Sequence, residues 1–305
     1  MIKKINKKTK IRKNNFHDEN QYLNMIETVI EENNEYIGRN GKTLSIFGGV
    51  MHFDLTNNKL PLLTTKKLAY KTCLKELLWF ISGNTSNDIL NHQNVHIWDG
   101  NSSRQYLDSI GLTERTEGDL GPIYGFQWRH YNANYVGCNN NYNNQGIDQI
   151  NNIINDLKNP ETRNSRRLIL TAWNPCPLKE IALPPCHILC QFNVTNNTKL
   201  SCSLYQRSGD LGLGVPFNIA SYSFLTHLIA KICNLEAYEF IYNLGNVHIY
   251  DDHVINLKTQ LTRVPYEFPT ITINNNSSNI DDYKLEDFEI NNYKSHESIK
   301  LLMRE

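Results

Sequence analysis

Pro184-Pro185-Cys186-His187-Ile188-Leu189-Cys190-Gln191-Phe192-Asn193-Val194, the polar turn Thr195-Asn196-Asn197-Thr198-Lys199 and a second run from Leu200 to about Arg207 carry the reading of the fold. The two prolines bar regular structure before Cys186, and the apolar run after them reads as a strand. The turn returns the chain as an antiparallel partner. With Val194 opposite Leu200, Cys186 falls opposite Ser208 and His187 opposite Arg207, within a slip of about one or two residues. A thiol, a guanidinium and a hydroxyl then converge at one strand end. Consecutive strand residues point to opposite faces, which rejects His187 as a base for Cys186. Two readings of Cys186 stand: a small buried hydrophobe, or a nucleophile whose thiolate a neighbouring arginine favours.

Outward from this hairpin the chain is mixed. Strand-like runs occur at 43–47, 167–173, 187–194, 200–207 and 238–242. Helical periodicity occurs at 20–34, 67–82, 147–158 and 217–233, the last expected to start after Pro216. There is no strict strand–helix–strand rhythm, so the fold class is α+β rather than a doubly wound sheet. No linker divides the 305 residues, and one large domain over 18–305 is expected, preceded by a basic tail at 1–17. Asparagine is used heavily; its short runs, such as Asn139-Asn140-Asn141, read as loops.

Charge and cysteine usage narrow the function. Lys plus Arg equals Asp plus Glu at 31 each, which argues against a dedicated nucleic-acid or membrane-surface protein. Lys3, Lys4, Lys7, Lys8, Lys10, Arg12 and Lys13 all precede the first acid, Asp18, so the remainder carries a net −7. That tail reads as a solvated segment; the alternatives are an RNA-touching arm or a nuclear address on a cytoplasmic protein. No apolar run nears the ~20 residues of a membrane span. Seven cysteines without a Cys-x-x-Cys pair fit free thiols in a reducing compartment and do not fit a zinc site.

Other residues admit two readings each. Gly209-Asp210-Leu211-Gly212-Leu213-Gly214 is a flexible connection or an anion cradle before a helix. Asn218 is a helix-start residue, or an amide offering a donor and an acceptor to a heterocycle edge. Arg166-Arg167 are solvated or form a phosphate clamp. Glu76, among Leu74, Leu77, Leu78, Trp79 and Phe80, either pairs with Lys71 or Lys75 or sits desolvated, with the raised pKa suited to acid–base work. His248 and Tyr250 share one face of an extended segment and can grip a hydroxyl together.

Taken together, Leu183–His187, Tyr205–Asp210 and Gly214–Tyr222, with Thr43–Gly48, Leu62–Lys66, Glu76–Phe80 and Gly118–Pro122, resemble the thymidylate synthase family over about residues 20–303. The resemblance is closest to the eukaryotic-type enzymes. It implies a mixed β-sheet with flanking helices and a homodimer whose sheets stack face to face. It also implies reductive methylation of dUMP by 5,10-methylenetetrahydrofolate to dTMP and dihydrofolate, without metal or nicotinamide. On it, Cys186 is the nucleophile that adds to uracil C6. Arg39, Arg207 and Ser208 hold the substrate phosphate, with Arg166 and Arg167 contributed across the dimer. Asn218 reads the uracil edge, His248 and Tyr250 hold the ribose hydroxyl, and Gln206 and Asp210 belong to the pyrimidine site. Glu76 organises proton transfer and Tyr124 joins the proton-abstraction network. Ile97, Trp98, Asn101, Asp210, Leu213, Gly214, Phe217 and Met303 form the folate wall.

Three departures mark this chain. Gly38-Arg39-Asn40-Gly41-Lys42-Thr43 is one residue shorter than the family loop, Lys67 stands where the family has arginine, and the final residues are the charged Arg304-Glu305. The charged end is expected to alter closure over bound ligands. A same-fold deoxycytidylate hydroxymethylase is disfavoured, because cytosine calls for a carboxylic residue at 218.

Overall fold

The computed structural model describes residues 17–38 and 40–304. The basic run, Arg39 and Glu305, all singled out above, lie outside them. The helices are α1 (Glu19–Glu32), α2 (Tyr70–Ile81), α3 (Asn87–Asn91), α4 (Asp99–Ser102), α5 (Arg104–Ser109), α6 (Tyr124–His130), α7 (Gln149–Lys158), α8 (Gly214–Ile232) and α9 (Val254–Leu261). The strands are β1 (Glu35–Gly38), β2 (Gly41–Asp54), β3 (Ile169–Thr171), β4 (His187–Thr195), β5 (Lys199–Asp210), β6 (Glu236–Tyr250), β7 (Thr270–Ile273) and β8 (Phe288–Asn291). The first six strands form one mixed sheet in the order β1-β2-β6-β5-β4-β3, and β7–β8 form a separate pair. Only β5 and β6 run parallel, as they must with α8 crossing between them.

The α+β architecture is the expected one, and its elements exceed the expected ranges because pairing extends strands past their apolar centres. α8 starts at Gly214, two residues before Pro216 rather than after it. Proline fits there because the first helical turn has no intrahelical use for its N–H. α8 is buried nearly all round, pressed on β5 and β6 on one side and α2 on the other. The asparagine bias also has a physical role. Every described non-glycine residue with positive φ is an asparagine, including Asn196 and Asn197 in the β4–β5 turn, where the short amide tolerates the left-handed conformation.

One sheet face is covered by helices and the other is open. Cys190, Phe192, Cys202, Leu204, Phe240 and Tyr242 fill the covered face. The alternate positions Phe47, Val50, Ile169 and Tyr205 are exposed, Phe47 by 85%. Beneath the covered face, α1 is anchored by Glu19. Its fully buried carboxylate accepts from the Thr64 and Thr65 backbone N–H groups (2.9 and 2.8 Å) and from both hydroxyls (2.6 Å each). Glu19→Ala would strand these donors and is expected to lower unfolding free energy by on the order of 3 kcal/mol, read by urea denaturation.

Candidate active site

The parallel pairing of β5 and β6 brings their C-terminal ends side by side, with Ser208 opposite Asn246 and Asp210 opposite His248. Cys186 reaches the same end from the start of β4. The expected β4–β5 register holds from Thr195 back to Leu189, opposite Tyr205, and then slips at Ile188, so that His187 faces Gln206. Cys186 therefore meets Arg207 rather than Ser208: the Arg207 N–H donates to the Cys186 carbonyl at 2.9 Å. The guanidinium is fixed by the carbonyls that precede the thiol. Its Nε donates to Pro185 O and its Nη2 to Pro184 O, each at 2.8 Å, leaving Nη2 3.8 Å from Cys186 Sγ. Trp173 backs it, ring centroid 6.0 Å from the guanidinium carbon; in the sequence it was only the end of a strand-like run.

Behind the thiol lies an aromatic wall. The Cys186 N–H donates to Tyr124 Oη at 2.7 Å, and the Tyr124 ring stacks on His187 at 3.9 Å. Burial raises the Tyr124 pKa well above its ordinary value. His187 Nδ1 bonds the Tyr222 hydroxyl at 2.8 Å, and burial lowers its pKa to about 3. It is a buried, neutral imidazole. Glu76 takes neither lysine as partner: Trp98 Nε1 donates to its Oε1 at 2.7 Å. Desolvation raises the Glu76 pKa to about 7, partly offset by that hydrogen bond.

The glycine loop closes the next side. Asp210 accepts from the Gly212 N–H (2.7 Å) and the Leu213 N–H (3.1 Å). Leu211 O takes the Tyr22 hydroxyl at 2.6 Å and Gly212 O takes Lys66 Nζ at 2.5 Å. Lys66 is a buried ammonium whose pKa desolvation lowers to about 8, against the opposing pull of Asp210 and Glu19. No local sequence signal betrayed its burial. Asn218 lies inside α8 rather than at its start, half-buried; a Cβ placed on Gly214 would come 4.0 Å from both Asn218 Oδ1 and Asp210 Cβ. Leu213 and Phe217 flank it, both half-buried.

His248 and Tyr250 share a face as expected, rings 5.4 Å apart and edge to face. Desolvation lowers the His248 pKa, with Asp210 opposing it and His253 adding to it. Burial raises that of Tyr250. Trp98 and Asn101 are buried beside half-buried Ile97, and Asn101 Nδ2 has no hydrogen-bond partner among the described residues. Ser208 is half-buried at the strand end. Met303 is half exposed, between Leu302, bonded to His253, and Arg304, 5.9 Å over Tyr250. Arg166 and Arg167 are exposed just before β3. Gln206 lies on the core side of β5. It is buried, donating to Ser208 O (2.8 Å) and accepting from the Tyr242 hydroxyl (2.6 Å), because alternation turns it inward when Arg207 faces out. It braces the strand end from the core side. Among the described residues no group of three or more His, Cys, Asp or Glu could hold a metal ion, and no helix is long and apolar enough to cross a membrane.

This arrangement, a strand-end cysteine with a fixed arginine 3.8 Å from its sulfur and a tyrosine bonded to its N–H, accompanies a match over residues 20–304 to the family model described as thymidylate synthase. The chain belongs to the thymidylate synthase family. It is 53% identical over 288 residues to the bifunctional dihydrofolate reductase-thymidylate synthase of Paramecium tetraurelia, covering 94% of this chain and 61% of that protein. It is 51% identical over 290 residues to the protein of the same name from Leishmania major (94% and 55%). To the probable thymidylate synthase of Schizosaccharomyces pombe it is 50% identical over 298 residues (94% and 47%). The chain thus spans about half to three-fifths of the length of these relatives.

The raised Glu76 pKa carries a pH signature. Because folding favours its protonated form, the stability it contributes is full below its ordinary 4.5 and is lost as pH rises through about 7. Across that interval the protein is expected to lose about 3 kcal/mol relative to Glu76→Gln, measured by urea denaturation of both at each pH.

Proposed function

We propose that the chain catalyses reductive methylation of dUMP by 5,10-methylenetetrahydrofolate, yielding dTMP and dihydrofolate. The observation that carries this reading is Cys186 Sγ held 3.8 Å from the fixed Arg207 guanidinium at an open strand end. A nucleophile and an anion site in one place suit covalent attack on a phosphate-bearing substrate. Arg207 and Ser208 hold the phosphate, with Arg39 as the third group. His248 and Tyr250 take the ribose hydroxyl. Asn218 accepts from uracil N3–H and donates to O4, a pattern that cytosine reverses, which favours this reading over hydroxymethylation of dCMP.

The chemistry follows from these placements. The Cys186 thiolate adds to uracil C6, breaking the C5–C6 π bond and moving its electron pair to C5 and O4. The folate co-substrate supplies the one-carbon unit and then the hydride, so no nicotinamide is required. Glu76, half protonated near neutrality, gives and takes a proton at the pyrimidine O4 side through water. Tyr124, kept neutral by burial, positions Cys186 through its N–H and hydrogen-bonds the water that takes H5 and passes the proton to solvent. Loss of Cys186 from C6 restores the double bond and frees the thiolate. The folate wall is Ile97, Trp98, Asn101, Leu213, Gly214, Phe217 and Met303, and the buried, unpartnered Asn101 Nδ2 supplies a hydrogen-bond donor there.

The same reading makes the protein a homodimer through its open sheet face. By cross-strand pairing, Phe47 opposite Asn246 shares that face with His248 and Tyr250, so a second copy on it borders the site. This chain's Arg166 and Arg167 would then reach the second copy's phosphate pocket.

Two measurements test the proposal. Mixing the protein with dUMP and 5,10-methylenetetrahydrofolate should form dihydrofolate, followed by absorbance, and Cys186→Ser should reduce the rate on the order of 10⁴-fold or more. Turnover by Cys186→Ser would remove the nucleophile assignment. In sedimentation, the parent protein should run as a dimer, and Phe47→Asp should shift it to monomer with loss of turnover. A dimer indifferent to that charge would place the interface elsewhere.

A further inference from the structure

The segment after β8 is tied to the turn that follows β6. His253 Nε2 donates to Leu302 O at 2.7 Å, and Asn256 Nδ2 donates to Lys300 O at 3.0 Å. Arg304 pairs with Asp252 at 3.0 Å and Asp251 at 3.6 Å. Of these anchors His253 is the buried one, 1% exposed. A carbonyl can only accept, so Nε2 carries the proton of the Leu302 bond.

The other edge of the same ring touches the Asp210 loop. A Cβ on Gly212 would lie 2.5 Å from His253 Nδ1, so glycine at 212 lets the imidazole seat against the loop. Nδ1 is buried without a hydrogen-bond partner among the described residues, and Asp210 Oδ1 stands 3.9 Å away. The Asp210 carboxylate in turn fixes the Gly212 and Leu213 N–H groups. One imidazole is thus wedged between the terminal segment and the loop that carries Asp210.

We propose that His253 is a positioning residue that couples the seating of residues 300–304 to the geometry of the Asp210–Gly214 loop. Displacing the segment frees Nε2, loosens the ring, and lets the loop behind it relax. The consequence for turnover rests on the function proposed above; the mechanical coupling does not.

Hydrogen exchange on the dUMP-mixed protein separates the two. In His253→Asn, whose shorter side chain cannot reach Leu302 O, amides of 210–214 and of 298–304 should both exchange about tenfold faster. His253→Gln, with an amide donor near the Nε2 position, should restore most of the protection in both segments. The surface variant Asn256→Ala should loosen both segments about threefold without disturbing the core. In His253→Asn, the dUMP dissociation constant by calorimetry should stay within about twofold while kcat for dihydrofolate formation falls about tenfold. Faster exchange confined to one segment, or His253→Gln behaving like His253→Asn, would overturn the coupling. A preparation with no dihydrofolate formation would count against the proposed function and leave the exchange comparison decisive for His253.

Discussion

The Arg207 N–H donating to the carbonyl of Cys186, just past an irregularity in β4, is the contact on which the rest of the site depends. A continuous ladder would keep paired positions in strict register and set Cys186 against Ser208. The slip at Ile188 moves the thiol one position and sets it beside the arginine. Bulges re-aim side chains at strand ends in this way. Pro184 and Pro185 complete the arrangement, because their carbonyls, 2.8 Å from the guanidinium, hold it against the sulfur. Backbone therefore fixes the guanidinium, and the thiol inherits its position from the same few peptide units.

Beneath that end of the sheet, charge is buried and compensated in sequence. Glu19 gathers four donors from Thr64 and Thr65, Lys66 spends its ammonium on Gly212 O, and Tyr22 bonds Leu211 O. Buried polar groups of this kind are costly unless satisfied and rigid when satisfied. Here they hold the loop bearing Asp210 from the core side, while His253 holds it from the side of the terminal segment. The loop needs glycine at 212 because the imidazole occupies the space a side chain would take. Its apparent flexibility in sequence is close approach in three dimensions.

The β4–β5 hairpin was legible because a polar turn between two apolar runs leaves few registers, and its pairing held down to Leu189. What periodicity could not show was the slip at Ile188, since a bulge leaves no composition signal. Asn218 as a helix-start residue failed for a related reason: proline is tolerated throughout the first turn, so Pro216 did not mark the boundary. Gln206 came from the family resemblance alone, and its bonds to Ser208 O and the Tyr242 hydroxyl are set by strand alternation that no motif displays. The buried states of Lys66 and His253 were illegible, because each is set by partners far away in sequence, Gly212 for one and Leu302 for the other. Resemblance supplied the roles of residues; distances supplied which of them touch.

The most direct test of the central claim is peptide mapping by mass spectrometry after acid quenching of the protein mixed with dUMP and 5,10-methylenetetrahydrofolate. The account predicts an added mass on the peptide holding Cys186 that corresponds to the nucleotide, alone or joined to the folate through the one-carbon unit. Cys73, Cys138, Cys176, Cys190, Cys202 and Cys233, none in a disulfide, serve as internal controls and should stay unmodified. An addition on one of those six, or turnover with no addition at Cys186, would contradict it.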